Sequence, residues 1–108
     1  MFEVGISDPF YEIKSKALSA LYEVKDPELG VNIVDLGMVY NLEVRNACIV
    51  LYMTLSTPSC PMGGLIVSYA KIAIEKALQD YEADIRLVWE PKWNYEFIST
   101  EGRTALGL

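Results

Sequence analysis

The chain has 108 residues, 52% hydrophobic and 22% charged, with a formal net charge of −6 and no histidine. That length suits a single domain over residues 1–108 with a real core, and nothing in the composition points to disorder. The acidic balance and scattered Lys and Arg argue against nucleic acid as the main partner, because phosphate binding needs clustered cations. The missing histidine removes Cys-His and Ser-His catalysis and His-containing zinc sites, so no enzyme of the ordinary hydrolase kind is expected. No apolar run is long enough to span a bilayer, and Met1-Phe2-Glu3-Val4 lacks the basic start of a signal peptide. A cytoplasmic location with no membrane partner is the expectation.

Asp8-Pro9 predicts the start of a first helix, with Asp8 as N-cap and Pro9 at the first helical position. Phe10, Ile13, Ala17, Leu21 and Val24 recur at helical spacing, and the helix should stop near Lys25, since Asp26 precedes Pro27. Asp26-Pro27-Glu28-Leu29-Gly30 reads as a turn, followed by a linker through Asn32, Asp35 and Gly37. Two acids flanking a proline suit a metal, a thiol or a basic partner; read locally, the simpler account is that Asp26 caps the turn and Glu28 is solvated.

Residues 38–45 alternate as a strand, with Met38, Tyr40, Leu42 and Val44 on one face and Val39, Asn41, Glu43 and Arg45 on the other. Asn46-Ala47 predicts a hairpin turn into a second strand over 48–55, whose apolar face is Ile49, Leu51, Met53 and Leu55. Cys48 falls within this strand.

The second strand runs into Leu55-Ser56-Thr57-Pro58-Ser59-Cys60-Pro61-Met62-Gly63-Gly64. Pro61 fits the first position of a long helix over 61–79, which makes Cys60 a candidate N-cap. A side chain there faces unpaired N–H groups and the positive end of the helix dipole, and both favour the thiolate, which is the nucleophile and the metal ligand. Two readings stand side by side: a reactive or metal-binding cysteine, and a buried, inert one. Thr54 and Thr57 have hydroxyls able to donate to a thiolate at position 60. Leu65, Ile66, Tyr69, Ala70, Ile72, Ala73 and Ala77 give the helix a broad apolar side.

Residues 84–90 predict a third strand ended by Pro91, with Trp89, Pro91 and Trp93 forming an aromatic-proline cluster. Residues 99–106 predict a short helix weakened by Gly102, with Arg103 placed to meet an acid or an anion. The order α-β-β-α-β-α(short) specifies an α+β fold, a two-layer α/β sandwich with a small mixed sheet and helices on one face. The other face would show Val39, Val50, Tyr52 and Val88, either a surface for self-association or a sparsely apolar monomer surface. Two cysteines and no CxxC pair make neither a disulfide framework nor the ligand set of a cluster held by one chain.

Three segments together resemble the metal-sulfur cluster biosynthesis family of SufT- and PaaD-like proteins. They are Asp26-Pro27-Glu28-Leu29-Gly30 with 32–40, then 53–62 around Thr57, Pro58, Cys60 and Pro61, and Val88-Trp89-Glu90-Pro91-Lys92-Trp93 with Ile98-Ser99 and Leu106-Gly107. The resemblance runs from about Phe10 to the C-terminus. It implies the iron–sulfur cluster assembly domain fold and a role in maturing iron–sulfur proteins. It implies that Cys60, Asp26, Glu28 and Thr57 form the site, reversing the local account of the acidic turn. The cargo implied is a transient iron–sulfur cluster or iron, with Cys60 as metal ligand shared with a partner or second subunit. The implied partners are the assembly machinery, client apoproteins and a second copy in a homodimer. Ser59 departs from the glycine frequent in the family, Gly102 departs from its helix formers, and the chain ends without the further C-terminal cysteines of PaaD-like members, favouring the SufT-like branch. Two other functions compete. One is a metal-free adaptor binding clients through the exposed sheet face and the Trp89–Trp93 segment, with Tyr52 and Trp93 as contacts. The other is a thiol-redox protein, which the lack of a resolving cysteine near Cys60 disfavours.

Overall fold

Helix α1, Tyr11–Leu21, begins two residues later than the Asp8-Pro9 signal predicts. In this computed structural model, which describes residues 3–56 and 63–108, Asp8 caps a preceding turn instead. Its Oδ1 accepts from the Phe10 N–H at 2.8 Å and its Oδ2 pairs with Lys14 at 2.8 Å. The hydrogen bond from Lys14, reinforced by that from Phe10, holds the Asp8 carboxyl below its ordinary range. The helix also stops short of Lys25. Glu23 and Val24 donate to Ala20 and Leu21, three residues back, and this tightened exit still buries Val24.

Three strands form one mixed sheet in the order β1-β2-β3: β1 Val39–Arg45, β2 Cys48–Met53 and β3 Glu82–Leu87. Strands β1 and β2 are an antiparallel hairpin closed by Asn46-Ala47, and Asn46 has φ 54°, a left-handed conformation that Asn tolerates. Strand β3 runs parallel to β2 after the crossover helix α2, Gly63–Ala77. The inner face carries Leu42 opposite Leu51 and Val44 opposite Ile49. Ala17 and Leu21 of α1 and Ile66, Ala70 and Ile74 of α2 share its core. The α+β order, with helices against one sheet face, is the one the periodicities predict.

A bulge between Val39 and Asn41 overturns the strict alternation predicted for β1. Val39 lies opposite Met53 and is 3% exposed, whereas Tyr40 turns to meet Phe97 and Pro91. Val50 also departs from expectation: it is 2% exposed on the outer face. Its cross-strand neighbours there are Glu43, paired with Arg45, and Asp84, paired with Arg86. The predicted apolar patch is therefore reduced to Tyr52 and Val88. Both predicted strand ends at 55 and 90 shorten for one reason: β2 ends at Met53, whose carbonyl takes the Val88 N–H at 2.8 Å, and no partner strand continues. At the start of β3, the outward N–H of Ala83 donates to Glu75 at 2.9 Å and its carbonyl accepts from Lys71 at 2.7 Å. The Ala83 N–H and Lys71 together keep Glu75 below the ordinary carboxylate range.

The C-terminal segment is clamped to the 32–37 stretch, which is a built turn and not a linker. Asp35 accepts from Ser99 Oγ at 2.9 Å and from Asn32 Nδ2 at 2.7 Å, while its carbonyl accepts from the Ser99 N–H at 2.7 Å. The Trp93 indole donates to the Leu36 carbonyl at 2.7 Å. Ser99 caps α3, Thr100–Leu106, by accepting from the Gly102 N–H at 3.0 Å. Gly102 is not a weakness here, because a Cβ at that position would lie 2.8 Å from Ile98 Cγ2 and 2.9 Å from the Asp35 carbonyl oxygen. Arg103 pairs with no acid among the described residues; it donates to the Ile98 and Tyr95 carbonyls.

Two glycines with nearly equal φ separate backbone strain from crowding. Gly37 (φ 74°) faces the Phe97 carbonyl and Cβ, which a side chain would overlap, while Gly30 (φ 72°) faces open space. Gly30→Ala should cost about 1 kcal/mol from the left-handed backbone alone, and Gly37→Ala about 2–4 kcal/mol because overpacking adds to it. Urea unfolding of the two variants checks the difference; equal losses would mean that the 97–37 contact contributes nothing.

Candidate functional site

Cys60, Thr57, Pro58 and Pro61 lie outside the described residues, so the site is described from its walls. Leu55 leaves β2 buried, and Gly63, the first described residue of α2, lies directly against it: a Cβ on Gly63 would come 2.7 Å from Leu55 Cδ1. A side chain at this position would have to push the Leu55 side chain aside. Gly64 faces open space.

Beside this junction is a cavity of about 180 Å³, lined by Thr54, Leu55, Ser56, Trp89, Glu90 and Trp93, with Lys92 at its side. Ser56 precedes Thr57, so the aromatic-proline segment stands at the entry to the cysteine stretch, two regions that the sequence separates by about thirty residues. The two tryptophans divide their work. Trp93 is half-buried and bonded to Leu36, which makes it part of the C-terminal clamp, whereas Trp89 is 41% exposed. Thr54 is buried, and its hydroxyl lies within hydrogen-bond reach of the Leu55 carbonyl at 3.4 Å.

The acidic turn has the geometry of the local account. Asp26 is 2% exposed, its Oδ1 accepts from the Glu28 N–H at 2.8 Å and the Leu29 N–H at 3.3 Å, and its carbonyl accepts from the Gly30 N–H at 2.8 Å. A buried carboxylate held by two backbone donors stays ordered where it is. Glu28 is exposed. Among the described residues no three His, Cys, Asp or Glu side chains come together to hold a metal. Cys48 opens β2 at the end away from Ser56, and the five residue steps to Met53 place the two strand ends about 16 Å apart. Cys48 therefore does not supplement a site at the other end.

Sequence reasoning missed Tyr40 and Phe97, which meet edge to face at 6.1 Å between centroids. It also passed over Asn32 and Asp35, although Asn and Asp three residues apart before a glycine are a turn signal.

The chain belongs to the iron–sulfur cluster assembly protein family, whose model matches residues 14–85. It is 34% identical to the Fe-S protein maturation auxiliary factor YitW of Bacillus subtilis over 89% of this chain and 95% of that protein. It is 37% identical to the Fe-S protein maturation auxiliary factor SufT of Staphylococcus aureus over 79% of this chain and 98% of that one. Among solved structures, a domain of unknown function (DUF59) from Bacillus anthracis superposes with a TM-score of 0.85 at 37% identity, covering 90% of this chain and 93% of that chain. The SufT-like resemblance and the fold expected from it are thereby established.

Asp26 offers a test that separates structure from chemistry. Asp26→Ala should lose about 1–3 kcal/mol, because two N–H groups lose their buried acceptor, while Asp26→Asn keeps an oxygen there and most of the stability. Thermal melts check this. Equal stability of Asp26→Ala and the parent would mean that the carboxylate does not hold the turn.

Proposed function

We propose that this chain is an accessory factor that helps deliver iron–sulfur clusters to, or mature, client proteins, with Cys60 as the thiolate that contacts the cargo. The observation that carries the reading is the family match over residues 14–85, a span that contains the cysteine stretch. Relatives named as maturation auxiliary factors support it. The role is delivery, without turnover of a metabolite, and it is played in the cytoplasm, an assignment with which the lack of any described helix long and apolar enough to cross a membrane is compatible.

The cluster or iron is cargo. One thiolate per chain, with no histidine and with Cys48 at the far end of β2, cannot fill the ligand set of a cluster. The remaining ligands come from a second copy, from the assembly machinery or from the client. Glu28, exposed on a turn fixed by Asp26, is the acid of that pair available to an incoming partner, and Asp26 acts by holding the turn. Thr57 is placed by sequence three residues before the thiolate, as a hydrogen-bond donor to it.

A metal-free adaptor is favoured by one feature, the exposed Trp89 beside Ser56. Trp93 does not discriminate the two, since its loss would also open the clamp. The deciding comparison is Cys60→Ala against Trp89→Ala in cells depleted of the parent protein, with client cluster content as readout. The delivery role predicts that Cys60→Ala abolishes client maturation while circular dichroism and melting stay near the parent's. Unchanged client cluster content in Cys60→Ala, with loss in Trp89→Ala, would replace delivery by adaptor binding.

A further inference from the structure

A further cavity lies beside the β1 bulge and shares Glu90 with the cavity next to Ser56. It has a volume of about 460 Å³ and is lined chiefly by Tyr40, Tyr52, Val88, Glu90, Pro91 and Phe97. That is room for one long side chain. Three aromatic residues line it, its one acidic residue is the exposed Glu90, and no Lys or Arg is among the described lining residues.

The rings are held in place before anything binds. The Tyr40 hydroxyl donates to the Pro91 carbonyl at 2.7 Å, and its ring meets Phe97 at an interplanar angle of 73°. Phe97 is itself fixed by its close approach to Gly37. Burial, together with the Glu90 charge, raises the pKa of Tyr40, so the phenol stays neutral. Tyr52 already carries a cation: the Arg86 guanidinium lies 6.0 Å from its ring centroid, while Arg86 is bound to Asp84 and lies outside the cavity lining. Aromatic faces joined by one carboxylate recognise cations through the ring quadrupole and a charge-assisted bond, and a planar guanidinium suits both.

We propose that this cavity binds an arginine side chain presented by a partner protein. Charge complementarity selects that occupant: the chain carries −6 overall, and the described lining joins Glu90 to Tyr40, Tyr52 and Phe97 with no Lys or Arg, Arg86 meeting Tyr52 from outside it. The proposal stands apart from the role of Cys60, because neither a cluster nor the cysteine takes part in the contact.

The test uses the whole chain and two small probes, N-acetyl-arginine amide and N-acetyl-citrulline amide, which match in shape and differ in charge. NMR titration follows the ring signals of Tyr40, Tyr52 and Phe97. The arginine probe should shift those rings and bind about fivefold more tightly than the citrulline probe, the scale of a cation–π contact. Added salt should narrow the difference. Glu90→Gln and Tyr52→Leu, each checked for an otherwise unchanged amide spectrum, should each erase most of the preference; Glu90 is exposed, so its variant does not threaten the fold. Equal binding of the two probes, absence of ring shifts with the arginine probe, or a preference that survives both variants would each overturn the proposal.

Discussion

The clamp between Asp35–Gly37 and the chain's last twenty residues is the constraint on which the rest depends. Asp35 takes a hydroxyl and a backbone N–H from Ser99, Leu36 takes the Trp93 indole, and Gly37 leaves its Cβ space to Phe97. Hydrogen bonds to a charged carboxylate contribute about 1.5–3 kcal/mol each, and Ile98, Trp93 and Leu106 add apolar packing against the core. Because Trp93 and Phe97 are pinned, the residues between β3 and Trp93 have little freedom. Trp89 and Glu90 are held beside Ser56, where the cysteine stretch begins. The same pinning orients Phe97 against Tyr40 and so shapes the outer cavity. One knot of polar bonds thus positions both regions where chemistry is expected.

The second constraint is glycine at close approaches. Gly63 seats α2 on Leu55, and Gly102 seats α3 on Ile98 and Asp35. Gly102 brings α3 nearer to the Asp35 backbone than a side chain would allow, and a Cβ on Gly63 would displace the Leu55 side chain.

Much of this was legible in the sequence, and the gaps have physical causes. Periodicity located the three described strands and the two long helices, since Ile49, Leu51 and Met53 alternate and Ile66, Ala70 and Ile74 recur at helical spacing, whereas the single 3-10 turn Tyr95–Phe97 has no such signal. Alternation failed at Tyr40 because a bulge inserts a residue, and no residue type there announces it. The first helix began late because Asp8 found Lys14 and Phe10 as partners before it could cap the helix. Gly102 read as a helix breaker because propensity is local and the neighbouring Asp35 carbonyl is sixty-seven residues away in the chain. At the acidic turn, the resemblance pointed to Asp26 and Glu28 together, and the geometry adds that Asp26 Oδ1 holds the turn while Glu28 is exposed. Trp89 and Trp93 looked equivalent until burial and the Leu36 bond separated them.

The account's central claim is that Cys60 holds the cargo through a thiolate completed by ligands from another chain. Anaerobic reconstitution with iron and sulfide tests it most directly. Parent protein and Cys60→Ser are compared by absorption and Mössbauer spectra, with molecular mass measured on the same samples. The claim predicts thiolate-ligated iron in the parent alone, in a species containing two chains. Iron bound equally by Cys60→Ser, or none bound by either protein, would contradict it and leave this fold as a scaffold that brings other carriers to their clients.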